Sequence, residues 1–315
     1  MVTLNLITRD SLREQPAKYA VSIALLEMTN IITSIANMQI QFSTATSEPT
    51  GEQEAIVAAI CKKFTRLFFE QPIQREALQL TLPESFCVLR YGDALYVNTF
   101  RDIFDDEDAM MSHIRRNQTS GSAPIESSFE IWLHDNIAAV VSRNAVHVDG
   151  RDPSHRTNIF SLLKDSSQWR IVGLTGCKWR YDTTSQRALS EKEVMAPVER
   201  LFDSLTRYDW DGLVVDLLPS AGATLSRRPQ PPLAVVWPDF VERLKRVVDA
   251  LPPGSVIQEK IHNSKVRVCG DLALVWAPFI VELDGQLRST GLNIFTLMKQ
   301  DEKWVISGLQ DTQDI

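Results

Sequence analysis

The segment Asn158-Ile-Phe-Ser-Leu-Leu-Lys164 returns as Asn293-Ile-Phe-Thr-Leu-Met-Lys299, at an offset of 293 − 158 = 135 residues. The offset then holds without a gap, bringing Trp169 to Trp304, Ile171 to Ile306 and Gly173-Leu174 to Gly308-Leu309. Between 158 and 174, nine of 17 positions are identical. Upstream, Asp149-Gly150 meets Asp284-Gly285. Two copies of one module are the simplest cause. A chain of 315 residues has room for two such domains. The division that follows is an N-terminal extension over 1–50, a first module over 51–181 and a second over 190–312.

Each copy opens on a helix signal. Thr50-x-x-Gln53 and Ser190-x-x-Glu193 have the capping-box form, in which a hydroxyl and an acid or amide satisfy free backbone N–H groups. The stripes that follow are Ile56, Ile60, Phe64 and Leu67 in the first copy, and Val194, Val198, Leu201 and Leu205 in the second. Pro197 belongs in a first helical turn, which moves the expected start of that helix to Ala196. Further helices are expected over 105–117, where Asp105–Asp108 suit the positive end of the dipole, and from Pro238 through Ala250. Each copy then ends in strands parted by turn residues, Asp135-Asn136 and Gly270-Asp271 first, then the Asp-Gly pairs. Helices followed by a four-stranded antiparallel meander make an α+β module with helices over one face of a sheet.

The strand 272–283 sharpens this. Leu272, Leu274, Trp276 and Ile280 alternate with Ala273, Val275, Phe279 and Val281, so both faces are apolar. A sheet wetted on one side would alternate with polar residues; this one must be covered twice. Helices supply one cover, and the sister module or another chain supplies the other.

The runs Ile137–Gly150, Asn158–Lys164 and Gln168–Val172, with their copies Leu272–Gly285, Asn293–Lys299 and Lys303–Ser307, resemble the nuclear-transport-factor-2-like (NTF2-like) superfamily. This is a cone-shaped α+β fold that includes SnoaL-like polyketide cyclases, ketosteroid isomerase and scytalone dehydratase. The resemblance implies helices folded over a bent, mainly antiparallel sheet, one pocket per module, and sheet-to-sheet dimers. A tandem chain looks like such a dimer fused into an intramolecular pseudo-dimer. It implies acid–base work on apolar substrates without a cofactor, since burial tunes the pKa values. The expectation is an isomerase, cyclase or dehydratase of secondary metabolism acting on a polyketide or terpenoid intermediate. A pericyclase of Diels–Alder type, which asks mainly for shape and a donor, belongs to the same expectation. The alternative is a non-catalytic ligand-binding or dimerisation protein on the same fold.

Composition narrows the partners. With 33 Lys+Arg against 40 Asp+Glu the chain carries a net −7 and no basic stripe, which argues against nucleic acid. Residues 19–40 carry one charge, Glu27, but polar residues interrupt them too often for stable membrane insertion. Val21, Leu25, Met28, Ile32 and Ile35 instead follow the spacing of an amphipathic helix. The start of the chain mixes charges with leucines and does not read as a secretory signal. Cys61, Cys87, Cys177 and Cys269 stand far apart without metal-ligand spacing, so no metal site is expected, and they read as thiols of a cytoplasmic protein. The expected partner is an apolar small molecule, and the expected state a monomeric pseudo-dimer or a homodimer.

The candidate catalytic residues come from an asymmetry between the copies. Four of the five histidines, His113, His134, His147 and His155, fall in the first copy and only His262 in the second. The working pocket is therefore expected in the first module. Arg143 lies mid-strand among Ala139, Val141 and Ala145, where a buried guanidinium needs an acid or a ligand oxygen. Catalysis is assigned to Arg143, His134, His147 and His113, although turn-adjacent His134 and His147 also suit a solvated rim. Substrate contact is assigned to Tyr91, Asp93 and Tyr96 at a strand end, to Asn158 and Asn293, which recur in both copies, and to Trp132, Phe160, Trp237 and Trp276. Core packing is the plain role of such aromatics.

Overall fold

The computed structural model describes residues 51–69, 75–105, 124–148, 151–165, 168–179 and 191–314, and Ser47–Ile315 forms one compact unit. The expected N-terminal helix, the body of the helix expected over 105–117, and His113 fall outside the described residues. In the first module the elements are α1 (Gly51–Phe69), a 3-10 helix (Arg75–Leu80), β1 (Thr81–Tyr91), β2 (Ala94–Thr99), α2 (Phe100–Asp105), β3 (Pro124–His134), β4 (Ile137–Val148), β5 (Arg151–Asp165) and β6 (Gln168–Trp179). In the second they are α3 (Glu191–Thr206), α4 (Trp210–Leu213), β7 (Gly222–Ser226), β8 (Leu233–Val236), α5 (Trp237–Asp249), β9 (Ile257–Ile261), β10 (Lys265–Cys269), β11 (Leu272–Leu283), β12 (Gln286–Gln300) and β13 (Lys303–Asp314).

The two sheets repeat one topology. The first runs β2-β1-β6-β5-β4-β3 and the second β10-β11-β12-β13-β7-β8, with β9 also paired to β11. The expected meander is therefore present in both, widened by an N-terminal hairpin whose first strand lies parallel to the last, β1 on β6 and β7 on β13. The sheets are mixed rather than purely antiparallel. The hairpin escaped the sequence reading because β1 carries Pro83 and a run of apolar residues without alternation, while β7 and β8 are only five and four residues long. Offset 135 also aligns the bulges: the register shifts after Ser161 on β5 and after Thr296 on β12, which bends both sheets at equivalent places.

Helix α3 begins at Glu191, one turn ahead of the expected start, with Pro197 inside it and buried. The proline forgoes one backbone bond, and the packing of Val194, Val198, Leu201 and Phe202 against the sheet holds the turn in place. In the first module α1 buries Val57, Cys61, Phe64, Leu67 and Phe68. Phe64 stacks on Phe68 at 4.9 Å and meets Phe160 edge-on at 5.9 Å. Phe160 is thus a core residue under α1. Trp237 is another, its indole N–H donating to the Leu218 carbonyl at 3.0 Å.

The double cover demanded by β11 is supplied within the chain. Ala273, Val275, Ala277 and Phe279 share the face whose neighbour on β12, Phe295, meets Phe202 of α3 at 5.9 Å. Leu272, Leu274 and Trp276 turn the other way and join a cluster with Val88, Val141, Ile159 and Val172 of the first module. The two sheets therefore face each other. At the centre of the seam the Thr175 hydroxyl donates to Thr296 Oγ1 at 3.1 Å and lies 3.1 Å from Ser307 Oγ. The Thr224 hydroxyl donates to the Val172 carbonyl at 3.1 Å, and Arg90 reaches the Lys299 carbonyl at 2.5 Å. No helix among the described residues is long and apolar enough to cross a membrane.

The helix side of the second sheet is packed so closely that Gly291 has no room for a side chain. A Cβ there would lie 2.0 Å from the Thr312 carbonyl oxygen and 2.5 Å from Phe279 Cζ. Gly291→Ala is expected to cost roughly 1–3 kcal/mol of unfolding free energy in urea denaturation, as overpacking against backbone does.

Candidate functional site

The sheets give each module two sides, a seam side and a helix side, and the candidate residues divide between them. Trp132 and Trp276 meet edge-on at 6.1 Å across the seam. Arg143 also lies on the seam side, beyond Val141, where burial ends; it is exposed, and its guanidinium donates to Cys269 Sγ of the second module at 3.5 Å. The buried mid-strand cation expected at 143 is not formed, since the cover on that face stops two residues earlier. His134 is exposed at the β3–β4 turn. The side chain of His147 lies outside the described residues. The structure thus does not gather Arg143 and His134 into one pocket.

The helix side holds the remaining candidates, in rows fixed by strand register. In the first module one row runs Asn144, Arg156, Lys178, Tyr91 across β4, β5, β6 and β1, and the next runs Ser142, Asn158, Gly176, Leu89. Tyr91 closes β1, its ring 6.3 Å from that of Tyr96, and burial pushes its hydroxyl up to about 12. Asp93 is exposed in the turn between β1 and β2. Asn158 is fully buried. A Cβ on Gly176 would lie 2.6 Å from Asn158 Oδ1, so glycine leaves the space the amide occupies.

In the second module the rows equivalent by the offset of 135 carry different chemistry. Asn293 keeps the place of Asn158, but Asp311 stands where the first module has Gly176, and Gly291 where it has Arg156. Asp311, directly opposite Asn293 in the β12–β13 ladder, is held by Arg227 in a two-point ion pair, with Nη1 donating to Oδ1 at 3.0 Å and Nη2 to Oδ2. Asn293 Nδ2 donates to Glu259 Oε1 at 2.9 Å, leaving Asn293 Oδ1 buried and unpartnered among the described residues. Glu259 stands on β9 opposite Val281, on the same face. Burial raises its carboxyl from the ordinary 4.5 to about 8; the Asp311 charge pushes the same way, while the Asn293 bond and Arg227 oppose. The cluster is two carboxyl groups, an amide and a guanidinium, with one carboxyl holding its proton at neutral pH.

Sequence reading named Asn293 and missed Glu259, Asp311 and Arg227. The signal for Asp311 was present, as a carboxylate replacing a glycine between two otherwise similar strands. Glu259 had none, because β9 is short and its surroundings come from distant segments. Of the acidic run Asp105–Asp108, Asp105 closes α2 and pairs with Arg75 at 2.7 Å, and the others lie outside the described residues.

No protein-family model matches the chain, and neither does any curated protein. Solved structures do. A cystatin-like-fold protein of unknown function from Nostoc punctiforme is 16% identical, with 40% of this chain and 92% of that one covered at a TM-score of 0.33. An NTF2-like family protein from Streptomyces avermitilis is 14% identical, with 39% and 95% covered at 0.34. An NTF2-like protein of unknown function from Silicibacter pomeroyi is 17% identical, with 42% and 99% covered at 0.32. These are structures of the fold family that the sequence pattern resembles. Each match spans about the length of one module, and no chemistry passes from them to this chain.

The raised Glu259 carboxyl has a consequence for stability. Between about pH 4.5 and pH 8 the folded chain holds a proton that the unfolded chain has released, so this group stabilises the fold fully below that window and less as pH rises through it. Unfolding free energy should fall across the window by up to about 1.4 kcal/mol per pH unit. In Glu259→Gln that component of the slope should vanish, as read from denaturant midpoints at pH 5, 6, 7 and 8.

Proposed function

We propose that the chain is a cofactor-independent enzyme that moves protons on an apolar small molecule, with the helix side of the second module as its acid–base centre. The observation that carries this reading is the Glu259 carboxyl, half-buried beside Asn293 and the Asp311–Arg227 pair, where desolvation pushes its pKa up to about 8. A carboxyl poised there works in both directions. Protonated, it donates to a carbonyl or a leaving hydroxyl; ionised, it takes a proton from the carbon beside that carbonyl. Asn293 positions it, and the charge of Asp311, partly offset by Arg227, raises its proton affinity, while the ion pair keeps Asp311 from acting as a second free base. An isomerase or dehydratase uses such a group. A purely shape-driven ring closure does not need one, so the pericyclic reading is the less supported of the two. An apolar polyketide or terpenoid intermediate is the substrate class proposed, in keeping with the aromatic floor of Phe202, Phe279 and Phe295.

The test begins with the purified chain and extracts or intermediates from its own biosynthetic neighbourhood, followed by mass spectrometry for consumption or isomerisation. With a substrate in hand, Glu259→Gln should lower kcat by about a hundredfold or more while leaving KM within a few-fold, as removal of a general acid–base does. The rate of the native chain should titrate near pH 8. Unchanged kcat in Glu259→Gln would remove this group from the reaction, and retention of a compound without turnover would favour a ligand carrier.

A further inference from the structure

We propose that the helix side of the first module is a separate binding site for the carboxylate of an apolar organic acid, with Arg156 as the charge that meets it. Arg156 keeps only 7% of its surface and lies with Cζ 4.0 Å over the Phe69 ring and 6.0 Å from that of Tyr91. Its Nε is buried without a hydrogen-bond partner, and no acid among the described residues forms an ion pair with it. A guanidinium does not give up its proton in a protein, so among the described residues Arg156 is a buried cation without a counter-charge, an expensive arrangement. Aromatic faces compensate part of that cost, and a bound anion compensates the rest.

The neighbours of Arg156 point to the same ligand. Asn158, two residues along β5 on the same face, is fully buried with both amide atoms unpartnered among the described residues, and the buried Tyr91 hydroxyl is unpartnered as well. Lys178 places a second cation in the row between Arg156 and Tyr91. A planar carboxylate matches the fork of a guanidinium at two points and has oxygen lone pairs left for a hydroxyl and an amide N–H. Phe69 and Leu89 are core residues of the same side of the sheet, and Tyr96 packs partly buried against them. The second module cannot bind in this way, because Arg156, Lys178 and Asn144 are replaced at the offset of 135 by Gly291, Gln313 and Phe279. The chain should therefore take one acid, in a site independent of Glu259.

Isothermal titration of the full chain with 2-naphthoate and with decanoate tests this, using 2-naphthylmethanol and 1-decanol as uncharged counterparts. One acid per chain is expected, with each alcohol weaker by about tenfold or more, the difference a charge-assisted two-point bond makes. Arg156→Met should abolish that preference, and without ligand it should melt no lower than the native chain, since it removes a buried charge that no described acid pairs. Tyr91→Phe deletes a single oxygen and keeps the proposal testable if Arg156→Met does not fold; a several-fold loss of acid affinity is expected. Glu259→Gln should bind the acids like the native chain, so a loss of turnover in that variant with acid binding retained separates this site from the proton-transfer reading. Equal affinity for acid and alcohol, no binding of either acid at millimolar concentration, or native affinity in both Arg156→Met and Tyr91→Phe would each overturn it.

Discussion

The packing of one sheet against the other is the interaction on which the rest of this protein depends. β11 and β12 are apolar on both faces, and only the helices of their own module on one side and the sister sheet on the other remove both from water. At the centre of that seam the hydroxyls of Thr175, Thr296 and Ser307 satisfy one another, so polar atoms enter an apolar junction without being left unpaired. Close approach there also relies on Gly173, where a Cβ would lie 2.5 Å from Gln310 Nε2. Covalent linkage makes this junction intramolecular, which removes the concentration dependence that a pair of separate modules would carry.

With the seam sides committed to each other, the helix sides are free to diverge. The conserved element is an asparagine at the same place in both, Asn158 and Asn293. Around it the charges differ among the described residues: Arg156 in the first module, and Glu259 with the Asp311–Arg227 pair in the second. Neither pattern is required by the shared fold, because Gly291 and Gly176 occupy the corresponding positions in the opposite copy. Duplication followed by such divergence gives one chain two helix sides of different polarity. The two helix sides thus differ in the charged residues they carry, an asymmetry distinct from the uneven distribution of histidines between the copies.

Much of the fold was legible in the sequence because repetition and two-faced apolar strands are signals of pattern. The limits of β4 and β11 and the positions of their turns follow from alternation and from Asp-Gly and Gly-Asp pairs. The added hairpins, whose first strands lie parallel to β6 and β13, were not legible, since β7 and β8 are too short to show a period. For the site, Tyr91, Asn158 and Asn293 were named and do lie on the helix side, whereas Arg143, Trp132 and Trp276 were named and lie at the seam. The reason is physical: a strand apolar on both faces carries no mark of which face the helices cover. Glu259 and Arg227 acquire their environment only when β9 and the end of β7 fold against β11 and β13.

With the seam sides packed on each other, the helix side of the second module carries Glu259, whose carboxyl desolvation and the Asp311 charge hold well above the ordinary range. The most direct measurement is a carbon-13 NMR titration of the glutamate side-chain carboxyls, with Glu259→Gln used to assign the resonance of Glu259. A midpoint near pH 8 is expected for that resonance. A midpoint in the ordinary carboxylate range, about 4 to 5, would contradict it.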